Sequence, residues 1–177
     1  MTPLMSINPS PRLMLEGDLD AVIKLQTTCY HLEFHEPKAS FASKLLAAPE
    51  SCWVVPGPSG LLAYLVCLPI DGDRLPALHS PDWIRSDNPD WLYLHDLAIH
   101  PDARGAGLAG LMLQKATELA QAHGLRAMGL IAVQGSVPFW RRHGFEPVVG
   151  TAHQISEAKL ASFGDGATFM LRRTTTS

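Results

Sequence analysis

The sequence predicts an α/β domain built around a mixed sheet, and three observations carry that expectation. Two apolar runs, residues 52–55 and 61–68, flank Pro56-Gly57-Pro58-Ser59-Gly60, the pattern of a hairpin. A third run, residues 91–99, passes through an arginine-and-glycine turn into an amphipathic helix and then into residues 126–133. That order is one β-α-β unit, whose strands lie parallel. The length of 177 residues, 46% of them apolar, suits a single domain with a substantial core over 1–177.

The elements follow in order. Residues 12–15 read as a first strand, and Asp18 as the N-cap of a helix with apolar Leu19, Val22, Ile23 and Cys29. A second helix fits residues 37–48, with Pro37 in its first turn and Pro49 ending it. After the hairpin, residues 69–89 are rich in Pro, Asp and Ser, and a loop of that length in a compact domain is usually functional or mobile. In the strand at residues 91–99, strict alternation puts Tyr93, His95, Leu97 and Ile99 on one face. Leu92, Leu94, Asp96 and Ala98 take the other. The next helix shows Leu108, Leu111, Met112, Ala116, Leu119 and Ala120 on one side, and Gly124 stops it. A short helix at 137–143, stopped by Gly144, precedes strands at 145–149 and 167–171. The polar tail 174–177 reads as frayed.

Composition removes several classes of function. Net charge is −3 and the basic residues are scattered, so no nucleic-acid partner is expected. The longest apolar stretch, residues 61–70, is too short to span a bilayer, and residues 1–15 lack the layout of a signal peptide. Cys29, Cys52 and Cys67 are odd in number and lack C-x-x-C spacing. They read as reduced thiols in a cytoplasmic protein.

Chemistry concentrates in Arg104-Gly105-Ala106-Gly107-Leu108-Ala109-Gly110. A glycine-rich turn that opens a helix leaves backbone N–H groups bare, and these suit a pyrophosphate. The spacing matches the dinucleotide fingerprint G-x-G-x-x-G, but Pro101 to Arg104 intervene between strand and glycine. No Asp or Glu stands between Glu118 and Glu146 to hold a ribose, and no Gly-Lys-Ser/Thr follows to make a P-loop.

With Arg104 included, Arg-x-x-Gly-x-Ala after Leu97-Ala98-Ile99-His100-Pro101 resembles the acyl-CoA motif of the GNAT N-acetyltransferase superfamily. Ile131-Ala132-Val133 followed by Val137-Pro138-Phe139-Trp140 through Gly144-Phe145 is similar to that family's second signature. The pattern HDLAIHPDARGAG with VPFW looks closest to its arylalkylamine-type branch. The resemblance implies a mixed, mostly antiparallel sheet with flanking helices and a splayed central strand pair. It implies acetyl-CoA as cosubstrate, held by the backbone of Leu97, Ala98 and Ile99, by Arg104, and by the amides of Gly105, Ala106, Gly107, Leu108, Ala109 and Gly110. Gln134 stands near a usual cofactor-binding Asn, and Trp140 replaces a usual acid Tyr, where it would stack on the cofactor or fill the core.

Acyl transfer to an amine needs a base, and His95 is the candidate, since imidazole titrates in the useful range. Tyr93 is a stand-in acid, and Asp96 a helper on the opposite face. His100, at the strand exit, is expected to face solvent. Tyr30, Glu33 and Glu36 lie in the connection between the first two helices, where the carboxylates would attract an acceptor ammonium. Metal spacing is not met there, so no metal is expected. Trp83 and Trp91 are candidates for an aromatic wall. No Cys stands in the motif, so the expected reaction is direct transfer to a small primary amine, by a monomer or homodimer. The rivals are a CoA-binding regulatory module and an acetyltransferase for protein N-termini or lysines.

Overall fold

The computed structural model describes residues 8–72, 74–76, 83–148 and 155–175. Among the described residues seven strands form one sheet: β1 (Arg12–Leu13), β2 (Cys52–Gly57), β3 (Gly60–Ile70), β4 (Trp91–Ile99), β5 (Ala127–Ala132), β6 (Glu146–Pro147) and β7 (Thr168–Arg173). Their spatial order is β1-β2-β3-β4-β5-β7-β6, and β4–β5 is the parallel pair among antiparallel neighbours. The mixed, mostly antiparallel sheet is therefore present as expected.

Helices α1 (Leu19–Cys29) and α2 (Lys38–Ala47) cover one face, packing Leu19, Val22, Leu25 and Phe41 against Tyr64, Val66 and Tyr93. Helix α3 (Leu108–Ala122) and the short α4 (Val137–Arg142) cover the other, packing Met112, Ala116 and Trp140 against Leu92, Leu94 and Leu130. Trp91 crosses β5 at Gly129, where a Cβ would stand 2.5 Å from the indole ring, so only glycine admits that approach.

Several expectations need correction. Asp18 precedes α1, but its carboxylate turns back to the Leu15 N–H and the Arg12 guanidinium instead of capping the helix. Leu111 is 40% exposed, because the buried stripe of α3 runs through Leu108, Met112, Leu113 and Ala116. Strand β3 extends to Ile70, while residues 73 and 77–82 of the expected loop lie outside the described residues. Trp83 and Trp91 are buried in the α1–α2 core and form no wall of the site. A fifth helix, α5 (Glu157–Ala161), was not anticipated; Ser156 caps it. Residue 149 of the expected strand and 176–177 of the tail also lie outside the described residues. Among the described residues no helix is long and apolar enough to cross a membrane.

Candidate active site

Strand β4 pairs with β5 from Trp91↔Ala127 to Leu94↔Leu130 and no further, so the two strands part after Leu94. On its other edge β4 carries a bulge at the same point. Val66 of β3 faces Asp96 and Cys67 faces Leu94, which leaves His95 as the extra residue. The bulge shifts the alternation by one. Leu92, Leu94, Leu97 and Ile99 face α3, whereas Tyr93, Asp96 and Ala98 face α1 and α2. The expectation that Asp96 lies opposite His95 is therefore wrong, since His95 also reaches α2-side Glu36.

The parting of the strands opens a cavity of about 570 Å³. Its walls include Cys29, Tyr30 and Phe34, the strand from Leu94 to Ile99, the turn at Arg104 and Gly105, and the first turn of α3. Gln134 and Trp140 close it from the β5–α4 side. Backbone direction along β4 follows from the His100 N–H, which donates to Leu62 of β3 at 2.7 Å. By alternation Ala98 also points its amide and carbonyl into the ladder, leaving Leu97 and Ile99 to face the gap. Of the three residues expected to offer backbone to a ligand, Ala98 thus does not. The Leu97 carbonyl accepts from the Tyr30 hydroxyl, and the Ile99 carbonyl from the Cys29 thiol at 3.3 Å.

The turn beyond β4 meets the requirements of an anion cradle. Gly105 and Gly107 have φ of 82° and 78°, a left-handed conformation that glycine adopts without steric cost. Nothing lies within 4 Å of a Cβ at either position, nor at Gly110. Gly107 ends the turn with no side chain to cap α3, so the N–H groups of Leu108, Ala109 and Gly110 stay available. Ala106 is the exception: its amide bonds to Ala103 at 3.4 Å, and it does not line the cavity. The exposed Arg104 stands by with its guanidinium close enough to oppose the effect of burial, which pushes the Cys29 thiol up. This cradle fits the pyrophosphate of CoA.

On the α2 side the cavity wall is a buried polar network. Gln26 clamps the backbone of Glu36, donating to its carbonyl at 2.9 Å and accepting its N–H at 2.8 Å. The Glu36 carboxylate accepts from Ser40 at 2.7 Å and pairs with Lys44 at 3.4 Å and with His95 Nε2 at 2.5 Å. Lys44 also donates to Ser40 at 2.6 Å. Burial alone would raise the Glu36 carboxyl, but His95, Lys44 and Ser40 together bring it down to about 2. Since a carboxylate only accepts, the Nε2 of His95 carries the hydrogen of this contact. The Nδ1 of the same ring is buried and has no hydrogen-bond partner among the described residues.

Asp96 sits beside this network and accepts from Tyr64 at 2.9 Å. Burial raises it to about 6, helped by the Glu36 charge and opposed by His95 and the phenols of Tyr64 and Tyr30.

The remaining expected residues divide. Tyr93 is 1% exposed, does not line the cavity, and is pushed far up by burial, so it is not placed to deliver a proton there. Glu33 is exposed on the turn Leu32–Phe34 and away from the cavity, while Glu36 is spent on internal partners, so neither is a free lure for an ammonium group. Gln134 lines the cavity in a left-handed conformation (φ 53°), and its amide oxygen accepts from the His31 N–H at 3.3 Å. Trp140 both lines the cavity and packs edge-on against Phe139 and Phe145. His100 is half-exposed and accepts the Asp102 N–H at 3.1 Å. Among the described residues no group of His, Cys, Asp and Glu is arranged to hold a metal ion. Gln26, Ser40 and Lys44 were missed in the sequence, although they fall at core-face spacings of α1 and α2.

Comparison with known proteins agrees with this fold. Solved structures with the same fold include the GNAT-like decarboxylase GphF in complex with isobutyryl-CoA, at 16% identity and a TM-score of 0.73. It is matched over 93% of this chain and 99% of its own. The loading GNAT-like domain of CurA from Lyngbya majuscula has 13% identity and a TM-score of 0.74, over 94% and 98%. The ribosomal-protein-S18-alanine N-acetyltransferase from Escherichia coli has 13% identity and a TM-score of 0.63, over 96% of each chain. No curated protein sequence matches significantly. The family model "Acetyltransferase (GNAT) family" matches residues 19–145, most of the chain. The chain belongs to the GNAT acetyltransferase family and is an acetyl-CoA-dependent N-acetyltransferase.

Proposed function

We propose that this chain acetylates a small primary amine by direct transfer in a ternary complex, in the manner of the arylalkylamine-type branch, with His95 as the base. The observation that carries the reading is the buried Glu36–His95 contact beside the cavity, in which Nε2 donates to the carboxylate and the buried Nδ1 has no partner among the described residues. When neutral, an imidazole so held accepts a proton from an incoming ammonium once substrate binding opens the buried Nδ1 to the cavity. Glu36 then stabilises the imidazolium that forms, as an orienting carboxylate does beside a catalytic histidine.

Acetyl-CoA, when bound, supplies an activated thioester and a thiol leaving group of ordinary pKa about 8.5. Arg104 and the open amides of the α3 turn hold its phosphates. The Leu97 N–H faces the gap and is the donor best placed to meet negative charge developing on a carbonyl oxygen there. No side chain needs to act as a strong acid. The Trp140 indole donates a hydrogen bond but no proton. Tyr30 is held well above an ordinary phenol by burial and then by Asp96, so it remains a hydrogen-bond donor. Phe34, Ile131 and Phe163 supply apolar surface for the body of an amine.

The test is a thiol-release assay over a panel of arylalkylamines, alkylamines and short peptides, run beside calorimetry with acetyl-CoA. Release with small amines and none with peptides is expected. Release with peptides alone makes the chain a protein acetyltransferase, and tight binding of acetyl-CoA without release from any of these acceptors, even at pH 9, overturns the small-amine reading.

A further inference from the structure

On the sheet face opposite the His95 network, two guanidinium groups and an imidazole come together. Arg142 ends α4, His143 follows it, and Arg172 reaches across from β7 to donate to the His143 carbonyl at 3.3 Å. Aromatic rings splint the group. The Arg142 guanidinium lies 5.8 Å from the centre of Phe139, the Arg172 guanidinium 6.0 Å from Phe145, and the Phe139 and His143 rings are 4.9 Å apart. Neighbouring arginines are neutralised, Arg141 by Glu146 and Arg126 by Asp90. Among the described residues Arg142 and Arg172 form no ion pair with a carboxylate.

Arg142 and His143 line the main cavity. A second hollow of about 400 Å³ adjoins it, shares Gly110 and His143, and adds Arg172 with the polar side chains Gln114, Thr117 and Gln121. His143 therefore stands at the junction of the two hollows with Arg142 on one side and Arg172 on the other, beside the first turn of α3 that forms the anion cradle.

We propose that Arg142, His143 and Arg172 form a second anion seat, for a phosphomonoester, and that its occupant is the 3′-phosphate of the CoA nucleotide. The proposal rests on the acetyl-CoA reading of the cradle and adds a recognition element for the distal end of that molecule. Two guanidinium groups held apart by aromatic stacking suit the several oxygens of a phosphate better than a single charge does. Burial, Arg142 and Arg172 hold His143 below the ordinary imidazole value. Glu118 of α3 lines the second hollow and is hydrogen-bonded to Gln114, while Glu146 of β6 is paired with Arg141. A dianion between the arginines reverses the local potential and draws a proton onto His143.

The experiment compares CoA with dephospho-CoA by titration calorimetry. Wild type is expected to bind CoA about 10-fold more tightly, the yield of roughly one charge-assisted hydrogen bond. Arg142→Gln and Arg172→Gln should each bring that ratio toward one while leaving dephospho-CoA affinity within about twofold. Arg142 is exposed and its contact among the described residues is the face of Phe139, so its variant serves even if Arg172→Gln fails to fold. At pH 6.5, His143→Gln should take up fewer protons on binding CoA than wild type, read from buffer-dependent heats. Adenosine 3′-phosphate should compete with CoA more strongly than inorganic phosphate. Equal competition by the two would overturn the nucleotide assignment. Equal wild-type affinity for CoA and dephospho-CoA overturns the seat and leaves the cradle standing, whereas binding of neither overturns both.

Discussion

The two sides of the cavity are built from different materials. The cofactor side is backbone: a turn with two left-handed glycines and an uncapped helix start, in which little depends on distant side chains. The acid–base side is a buried side-chain network in which Gln26, Glu36, Ser40, Lys44 and His95 satisfy one another across α1, α2 and β4. The contrast predicts how each side fails. Damage to the turn should weaken the ligand and leave the fold intact, whereas damage to the network should unsettle fold and chemistry together.

The largest effect tests the chemistry alone. His95→Gln should lower the turnover rate about 10²- to 10⁴-fold and flatten its acid limb, with acetyl-CoA affinity little changed. An unchanged rate and pH profile would remove His95 from the reaction. Glu36→Ala comes next, because it strands Lys44 as a buried, unpaired charge. A loss of about 3–5 kcal/mol is expected in urea unfolding, along with a fall in rate. A rate loss without destabilisation would mean that Lys44 finds another partner.

Acidity offers a third separation. Glu36 titrates at about 2 in the folded chain against an ordinary 4.5, so its stabilisation is complete above 4.5 and is lost as pH falls through 2. Asp96 has the opposite sign. Its value of about 6 against an ordinary 3.8 means a penalty that is full above 6 and gone below 3.8. Stability should therefore rise as pH falls from 7 to about 4.5, then decline. Asp96→Asn should abolish the rise, worth about 2 kcal/mol. A ramp that survives in this variant would place the titration elsewhere. The smallest structural effect belongs to Gly107→Ala, about 1 kcal/mol of backbone strain. If CoA affinity does not fall by more than that strain explains, Gly107 does not approach the ligand.

The same contrast decides what could be read in the sequence. The cradle is contiguous, and its glycines and arginine announce a local conformation whatever the rest of the chain does. The hairpin, the β4-α3-β5 unit and the ends of β4 were equally legible, since periodicity and glycine stops are local signals. The network was not. Glu36 and His95 are 59 residues apart, and nothing near either position names the other. Glu36 in a polar connection resembles a solvated loop carboxylate. A close reading of spacing had one clue to offer. Lys44 stands three residues after Phe41 and four before Ala48, on the buried stripe of α2, where an unpaired charge would be prohibitive. The bulge was illegible for another reason: an extra residue exists only relative to the partner strand, and alternation read along β4 alone assumes that there is none.

That bulge links the two sides more tightly than any contact does. Strand backbones are periodic in two, so one inserted residue acts as a parity change for everything after it. It turns the Asp96 side chain toward α1 and, in the same stroke, decides that Leu97 and Ile99, and not Ala98, present amides to the gap. Deleting residue 95 would therefore do more than remove an imidazole. The restored ladder would turn the cofactor-facing backbone away from the opening and expose the wrong set of groups to it. The proposed proton acceptor and the proposed ligand-facing backbone share one odd residue, and neither can be shifted along the strand without the other.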